Sequence, residues 1–194
     1  MNIQQLKQTN TQYLGKEIIY YNQIDSTQDE AKRIVEDNVR NGTIILADTQ
    51  TKGRGTKGRK WHTKNSGNIA MTIILYPNCN INKLQGITIE IAKCMVMAIN
   101  QLYGYLLDIK EPNDLMLNGK KIGGILTETA LLNENVKHIL IGIGFNVNEL
   151  NFDEEICNIV TSLKLEYNIE FSVEKIIIKF LEIFEQKFEE RLDT

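Results

Sequence analysis

The sequence of 194 residues is poor in the side chains that cross-link small proteins or bind transition metals, with three cysteines and two histidines. Cys79, Cys94 and Cys157 are odd in number and form no C-x-x-C pair or cysteine–histidine pair at metal-ligand spacing. We therefore predict reduced thiols, and neither a disulfide framework nor a zinc site. His62 and His138 are also isolated along the chain.

Long apolar runs are missing as well. No run approaches the roughly 18 residues that a membrane helix needs. Residues 1–21 lack the basic start and the apolar middle of a signal peptide. We therefore predict a cytoplasmic protein that does not associate with a membrane.

The composition is typical of one globular domain. Hydrophobic residues make up 42% of the chain and charged residues 24%, which are ordinary proportions for a protein with one sizeable core. We predict that residues 1–194 form a single domain. The formal net charge of -3 argues against a protein whose whole surface holds nucleic acid, so charge has to be interpreted locally.

Hydrophobic periodicity predicts an α+β fold, in which a mixed β-sheet packs against helices on one side. The predicted strands are residues 17–21, 43–47, 68–75, 115–117, 121–127 and 136–147, and the predicted helices begin at Thr27, span residues 84–102 and follow Ser172. Thr27 and Glu30 fit a capping box. Asn118-Gly119 is a strong hairpin signal. Gly142 and Gly144 interrupt the last strand, which predicts close approach of a ligand or another backbone.

The chemistry is concentrated in the polar stretch 48–67, which is long enough to predict a functional loop. Residues 52–61 contain five cationic side chains, three glycines and no carboxylate. Glycines let backbone N–H groups approach phosphate oxygens, and arginine offers a donor fork that matches carboxylate or phosphate. We therefore predict that this loop binds an anion.

Two common phosphate-binding motifs nearly match the loop. Gly53, Gly55 and Gly58 satisfy G-x-G-x-x-G, but residues 60–67 are not the apolar helix that a dinucleotide fold requires. The spacing of Gly53 and Gly58 also fits G-x-x-x-x-G-K-[ST], but Arg59-Lys60 stands where Lys-Ser/Thr is needed. A solvated basic loop and a nucleic-acid patch with the single tryptophan remain as alternatives.

A second polar segment, Lys110-Glu111-Pro112-Asn113-Asp114, precedes the predicted hairpin. Asparagine and aspartate are common turn formers, which is one interpretation. The other is functional, because a lysine can neutralise phosphate charge and a carboxylate can hold magnesium.

Together these segments resemble the biotin protein ligase family, whose glycine-rich loop G-R-G-R-x-G-R-x-W is followed by K-W-P-N-D and a K-x-x-G-I-L strand. The matching segments here are residues 53–61, 110–114 and 121–126. Residues 25–28 resemble the family's D-S-T-N segment, and residues 142–148 resemble its G-I-G-I-N-V-N strand. The five motifs occur in the family's order and spacing.

The resemblance implies an ATP- and Mg²⁺-dependent biotin–[acetyl-CoA-carboxylase] ligase. Its partner would be the biotin carboxyl carrier domain of acetyl-CoA carboxylase or a related carboxylase. By position, the implied catalytic residues are Lys110 and Arg54, and biotin would contact Ser26, Thr27, Gln28, Gln50, Arg54, Gly55, Thr56 and Lys110. ATP would contact Arg59, Trp61, Asn113, Lys121 and Asn146, and the magnesium ligand would be Asp114.

The chain departs from the family pattern at two positions, since Thr56 stands where arginine is usual and Glu111 where tryptophan is usual. Larger members also carry an N-terminal helix-turn-helix domain and a C-terminal β-barrel. We predict neither here, because few residues precede Ile18 and few follow the last helix, and we expect no DNA binding. A monomer and a homodimer both remain open. A lipoate ligase is the nearest alternative, but its R-R-x-S-G-G-G motif is absent.

Overall fold

A computed structural model describes residues 1–37, 39–63 and 65–193 of the chain. The described residues form seven strands, β1 (Ile18–Ile24), β2 (Ile44–Gln50), β3 (Ile69–Leu75), β4 (Asp108–Lys110), β5 (Asp114–Leu117), β6 (Lys120–Leu132) and β7 (Asn135–Phe145). They also form five α-helices, α1 (Ile3–Leu6), α2 (Thr27–Ile34), α3 (Ile87–Tyr103), α4 (Leu163–Tyr167) and α5 (Val173–Asp193).

All seven strands belong to one sheet, in the order β1-β2-β3-β7-β6-β5-β4. The β1–β2 pair is parallel, and the other neighbouring pairs are antiparallel. The predicted α+β fold with a mixed sheet is therefore confirmed. The short elements α1, β4 and α4 were not predicted, because each spans too few residues to show a period.

One face of the sheet is covered by α3 and α5 and holds most of the core. The apolar residues predicted on the last helix are all buried there, namely Val173, Ile176, Ile177, Phe180, Leu181, Phe184 and Phe188. Helix α3 ends at Gly104, whose φ of 74° is the left-handed conformation that glycine tolerates best. The hairpin between β5 and β6 turns at Asn118 and Gly119, both with positive φ, as predicted.

The prediction that the helices lie on one side of the sheet is wrong. Helix α2 packs on the opposite face, where Ala31 and Val35 form a separate apolar cluster with Ile45, Ile74 and Leu140. The sequence pattern of α2 shows which side of the helix is apolar, but it contains no information on which face of the sheet that side covers.

Beyond α2, the same face of the sheet carries small residues. Gly142 in β7 pairs with Thr72 in β3 and with Leu126 in β6. Two residues further along β7, Gly144 pairs with Ala70 in β3 and with Gly124 in β6. These short side chains leave room above the middle of the sheet. A cleft opens there between α2 and the loop that follows β2.

The remaining predictions concern metals, thiols and membranes. The three cysteines are free, and the described residues contain no group of three or more His, Cys, Asp or Glu that could hold a metal ion. In the same part of the chain, no helix combines the length and the apolar character needed to span a bilayer.

Candidate active site

The cleft contains about 600 Å³ of space outside protein atoms, part of which is open to solvent. It is lined by most of the residues that the resemblance assigned, namely Ser26, Thr27, Gln28, Gln50, Arg54, Gly55, Thr56, Arg59, Trp61, Asn113 and Lys121. These residues come from α2, the end of β2, the following loop, the β4–β5 turn and β6. Tertiary folding therefore brings together segments that are far apart in the sequence.

The N-terminus of α2 forms one end of the cleft. Ser26 is the N-cap, since its hydroxyl accepts a hydrogen bond from the backbone N–H of Asp29 at 3.3 Å. The predicted capping box of Thr27 and Glu30 is therefore not formed, because the N-cap is Ser26 and Thr27 lies inside the helix. Its N–H and its hydroxyl instead donate to Gln50 Oε1, at 2.9 and 3.2 Å. Gln50 Nε2 then donates to Thr63 Oγ1 at 3.3 Å, at the base of the loop.

Two residues at this end were missed by the sequence analysis. Thr72 is fully buried, and its hydroxyl lies 2.9 Å from Thr27 Oγ1 and 3.2 Å from Gln28 Oε1. Glu128 accepts a hydrogen bond from Gln28 Nε2 at 2.7 Å. Thr72 is a polar residue within a strand of otherwise apolar residues, and that is the signal that could have identified it.

The loop after β2 folds back on itself as an irregular hairpin. Trp61 N–H donates to the Gly53 carbonyl at 2.9 Å, and Gly55 N–H donates to the Arg59 carbonyl at 2.7 Å. A Cβ at Gly53 would come within 2.3 Å of the Trp61 carbonyl oxygen, so a side chain there would break the hairpin. The glycine is therefore needed for loop closure as well as for any approach to phosphate.

Side chains of this hairpin approach the sheet at the glycine positions of β7. A Cβ at Gly144 would lie 2.3 Å from Cε2 of the Trp61 ring, and a Cβ at Gly142 would lie 2.6 Å from Gln28 Oε1. We predicted close approach of a ligand or a backbone at these glycines. The structure instead places two cleft-lining side chains, Trp61 and Gln28, against them.

Two cationic side chains of the loop, Arg54 and Arg59, have hydrogen-bonding partners. Arg54 forms a close ion pair with Asp29 of α2, and this hydrogen bond raises the pKa of the guanidinium. Arg59 donates to the hydroxyl of Thr56 at 2.8 Å, and Asn113 Nδ2 reaches the same hydroxyl at 3.5 Å. Asp29 thus neutralises one of the five cationic side chains of a loop that contains no carboxylate of its own.

The resemblance gave the catalytic role to Lys110 and an ATP contact to Lys121, and the structure places these two lysines differently. Lys121 lines the cleft, with Nζ 5.8 Å from the centre of the Trp61 ring and 2.6 Å from Asp114 Oδ1. Lys110 is exposed on the edge strand β4 and is not among the residues that line the cleft. The catalytic role that the resemblance implies for Lys110 stays a prediction.

Asn146 and Asp114 also lie outside the lining of the cleft. The Asn146 amide is buried and donates to the Thr161 carbonyl at 3.0 Å, and its backbone N–H donates to the Ile122 carbonyl at 2.8 Å. Asn146 therefore holds the segment before α4 against the start of β6. Asp114 is adjacent to the cleft through its ion pair with Lys121.

The fold places this cleft between the sheet and a basic loop, and such a site is suited to an anionic small molecule. The family model that describes the biotin/lipoate A/B protein ligases matches residues 20–146. The chain therefore belongs to this family. Both the family resemblance and the α+β fold class expected from the sequence are confirmed.

Curated relatives support the same placement. The bifunctional ligase/repressor BirA of Bacillus subtilis is 36% identical over 180 residues, which cover 92% of this chain and 55% of the relative. The biotin–[acetyl-CoA-carboxylase] ligase of Paracoccus denitrificans is 35% identical over 132 residues, or 63% of this chain and 51% of the relative. The chain thus spans about half the length of these relatives.

A solved structure agrees as well. The biotin protein ligase from Aquifex aeolicus in complex with biotin and ATP has a TM-score of 0.77 and 28% sequence identity to this chain. The match covers 92% of this chain and 73% of that one.

Proposed function

We propose that the protein is a biotin protein ligase, which activates biotin with ATP and transfers it to a lysine of a carrier protein. The observation that supports this most directly is the cleft, where residues from all five motifs meet on one face of the sheet. Relatives and a biotin- and ATP-bound neighbour point to the same pair of substrates.

The first step joins two anions and therefore needs cations. A biotin carboxylate oxygen attacks the α-phosphorus of ATP, the bond to the bridging oxygen breaks, and pyrophosphate leaves. Positioning and charge neutralisation supply most of the catalysis in such phosphorus chemistry. In the second step, the neutral amine of the acceptor lysine attacks the carbonyl carbon of biotinyl-5′-adenylate, and AMP leaves with the bonding electron pair.

We assign the central cation to Lys121 rather than to Lys110. Lys121 Nζ lies inside the cleft, next to the Trp61 ring that we propose as the adenylate-facing wall. Lys110 lies at the sheet edge with an exposed side chain. Arg54, Thr56, Arg59 and Asn113 also line the cleft, and we propose that they contact the phosphates.

We propose that magnesium binds at this site together with ATP. A magnesium ion bound to a triphosphate needs few protein ligands, because phosphate and water oxygens supply most of them. Asp114 would hold the ion and would exchange its contact with Lys121 for one with the metal. The ion would offset triphosphate charge while Lys121 turned toward the reacting carboxylate.

We propose that the acceptor is the biotin carboxyl carrier domain of a carboxylase, with acetyl-CoA carboxylase as the first candidate. The support is the name of the Paracoccus relative. The loop also exposes Lys57 and Lys60 beside the cleft, where an acidic carrier surface would be attracted. We propose no DNA-binding role for this chain.

The test is biotin transfer to a purified carrier domain, with ATP and magnesium present. We expect covalent biotin on one carrier lysine, seen by mass spectrometry, and none on a carrier whose target lysine is changed to arginine. Transfer of lipoate at an equal rate, or the absence of any transfer by a folded enzyme, would contradict the proposal.

A further inference from the structure

Gln28 forms the wall of the cleft at the end where α2 meets the sheet, and it is only 3% exposed. Its carboxamide has one polar atom that donates and one that accepts. Which of the two faces the cleft floor decides the hydrogen bond that a ligand can make there. The contacts of Gln28 fix that choice.

Gln28 Nε2 points away from the floor and donates to Glu128 Oε2 at 2.7 Å. Oε1 points toward the floor, 3.2 Å from the Thr72 hydroxyl and against Gly142. An ionised carboxylate can only accept hydrogen bonds. A reversed carboxamide would place Oε1 against the carboxylate of Glu128, so Glu128 excludes that orientation.

Glu128 is itself held in place. Its other oxygen, Oε1, accepts a hydrogen bond from Lys32 Nζ of α2 at 2.7 Å. Burial alone would raise the pKa of Glu128, but the hydrogen bonds from Lys32 and Gln28 keep it below its ordinary value. The carboxylate is therefore ionised at neutral pH and remains an acceptor.

We propose that Glu128, held by Lys32, is a positioning residue that turns the Gln28 oxygen toward the cleft and thereby selects a ligand with an N–H donor at this end. The proposal rests on the proposed function and deepens it, because the ring of biotin carries two urea N–H groups. The dithiolane ring of lipoate carries none. The pair thus sets affinity and selectivity for the ring and takes no part in the chemical steps.

Distance separates this pair from the reacting groups. Glu128 and Lys121 both belong to β6, and at the usual rise per residue they are on the order of 20 Å apart along the strand. A change at Glu128 therefore acts first on ring binding, and it reaches the phosphate-binding groups only through the electrostatic interaction between Glu128 and Arg54. This predicts a rise in the dissociation constant and KM for biotin with little change in kcat.

The informative variant exchanges the two charges, Lys32→Glu with Glu128→Lys. It restores an ion pair between α2 and β6, but it places an ammonium group, which only donates, beside Gln28. The carboxamide then has to reverse and present Nε2 to the floor. The isosteric single variant Glu128→Gln serves as a milder change, and Glu36→Lys with Lys137→Glu is the matched control, since that 2.6 Å ion pair lies outside the cleft lining.

The experiment measures biotin binding by titration calorimetry, thermal unfolding midpoints and steady-state kinetics. We expect the exchanged pair to unfold near the parent midpoint but to bind biotin at least tenfold more weakly, with kcat at saturating biotin within about twofold. Glu128→Gln should weaken binding several-fold, and the control should bind like the parent.

Parental biotin affinity in the exchanged pair or in Glu128→Gln would show that the ion pair is merely structural, and would overturn the inference. A parent protein that binds no biotin would instead refute the proposed function itself. If the exchanged pair does not fold, Glu128→Gln decides the question alone, because it changes one charge and no volume.

Discussion

The indole ring of Trp61 lies on the backbone of Gly144, so closely that a methyl group at Gly144 would come within 2.3 Å of Trp61 Cε2. Trp61 belongs to the basic loop and Gly144 to the central strand β7, so this contact seats the loop on the sheet. The absence of a side chain at Gly144 is therefore a condition for the closed position of the loop.

Gly144→Ala should displace the Trp61 ring and weaken ATP binding, because overpacking of this kind typically costs about 1–3 kcal/mol. Trp61 is the single tryptophan, so the shift should be visible as a red-shifted intrinsic fluorescence. Gly124→Ala is the control for the fluorescence alone, since the atoms nearest to a Cβ there belong to Lys121 and Asp114, at 3.4 Å or more, and not to Trp61. An unchanged spectrum for Gly144→Ala would show that the ring does not depend on this contact.

Lys121→Ala should slow adenylate formation by about 10² to 10³, the usual effect of losing one group that stabilises developing charge. Lys110→Ala should retain most of the activity, because its side chain is exposed at the sheet edge. Single-turnover formation of biotinyl-adenylate measures both. The reverse order of effects would restore Lys110 to the catalytic role implied by the sequence motif.

Asp29→Asn should loosen the loop by removing the ion pair with Arg54. The guanidinium is 47% exposed, and exposed pairs contribute only about 0.2–1 kcal/mol, so we expect cleavage of the loop by trypsin to accelerate by no more than about fivefold. Biotin with ATP should protect both proteins, because an anion neutralises the loop. Ligand that leaves cleavage unaffected would argue against closure of the loop over the substrates.

Thr56→Arg should make the enzyme retain its adenylate longer. An arginine can donate charge-assisted hydrogen bonds worth roughly 1.5 to 3 kcal/mol each, and the low end already corresponds to about a tenfold slower release. Thr56 now accepts from Arg59, so the change also frees that guanidinium. A fluorescence chase follows release, and a variant that releases adenylate as fast as the parent would remove the proposed role of this position.

Asp25→Asn should lower the free energy of unfolding at neutral pH. In acid this difference from the parent should disappear. Hydrogen bonds from Arg33 and from the backbone of Ser26 lower the pKa of Asp25 to about 2. Because the pKa is lower in the folded state, ionised Asp25 contributes fully to the free energy of unfolding above its unfolded-state pKa near 4. This contribution is lost as the pH falls toward 2. Denaturant unfolding of both proteins at pH 7, 4 and 3 should show a shrinking difference, and a constant difference would contradict this assignment.

The sequence predicted the sheet, the long helices and the Asn118-Gly119 hairpin because these depend on local periodicity and turn chemistry. It did not predict that α2 covers the opposite face, nor that Glu128 would meet Gln28 one hundred positions away. The motifs supplied most of the predicted residues that line the cleft, but they did not reveal that Lys110 lies at the sheet edge while Lys121 lines the cleft. That distinction depends on which strand lies at the sheet edge, and strand order is set by long-range pairing.

The central claim is that the cleft activates biotin with ATP, and the most direct measurement is isotope exchange between ATP and pyrophosphate. We expect exchange that requires both biotin and magnesium, is negligible with lipoate, and is reduced at least a hundredfold in Lys121→Ala with unchanged circular dichroism. Equal exchange with lipoate, or no exchange with biotin by the folded parent, would contradict it.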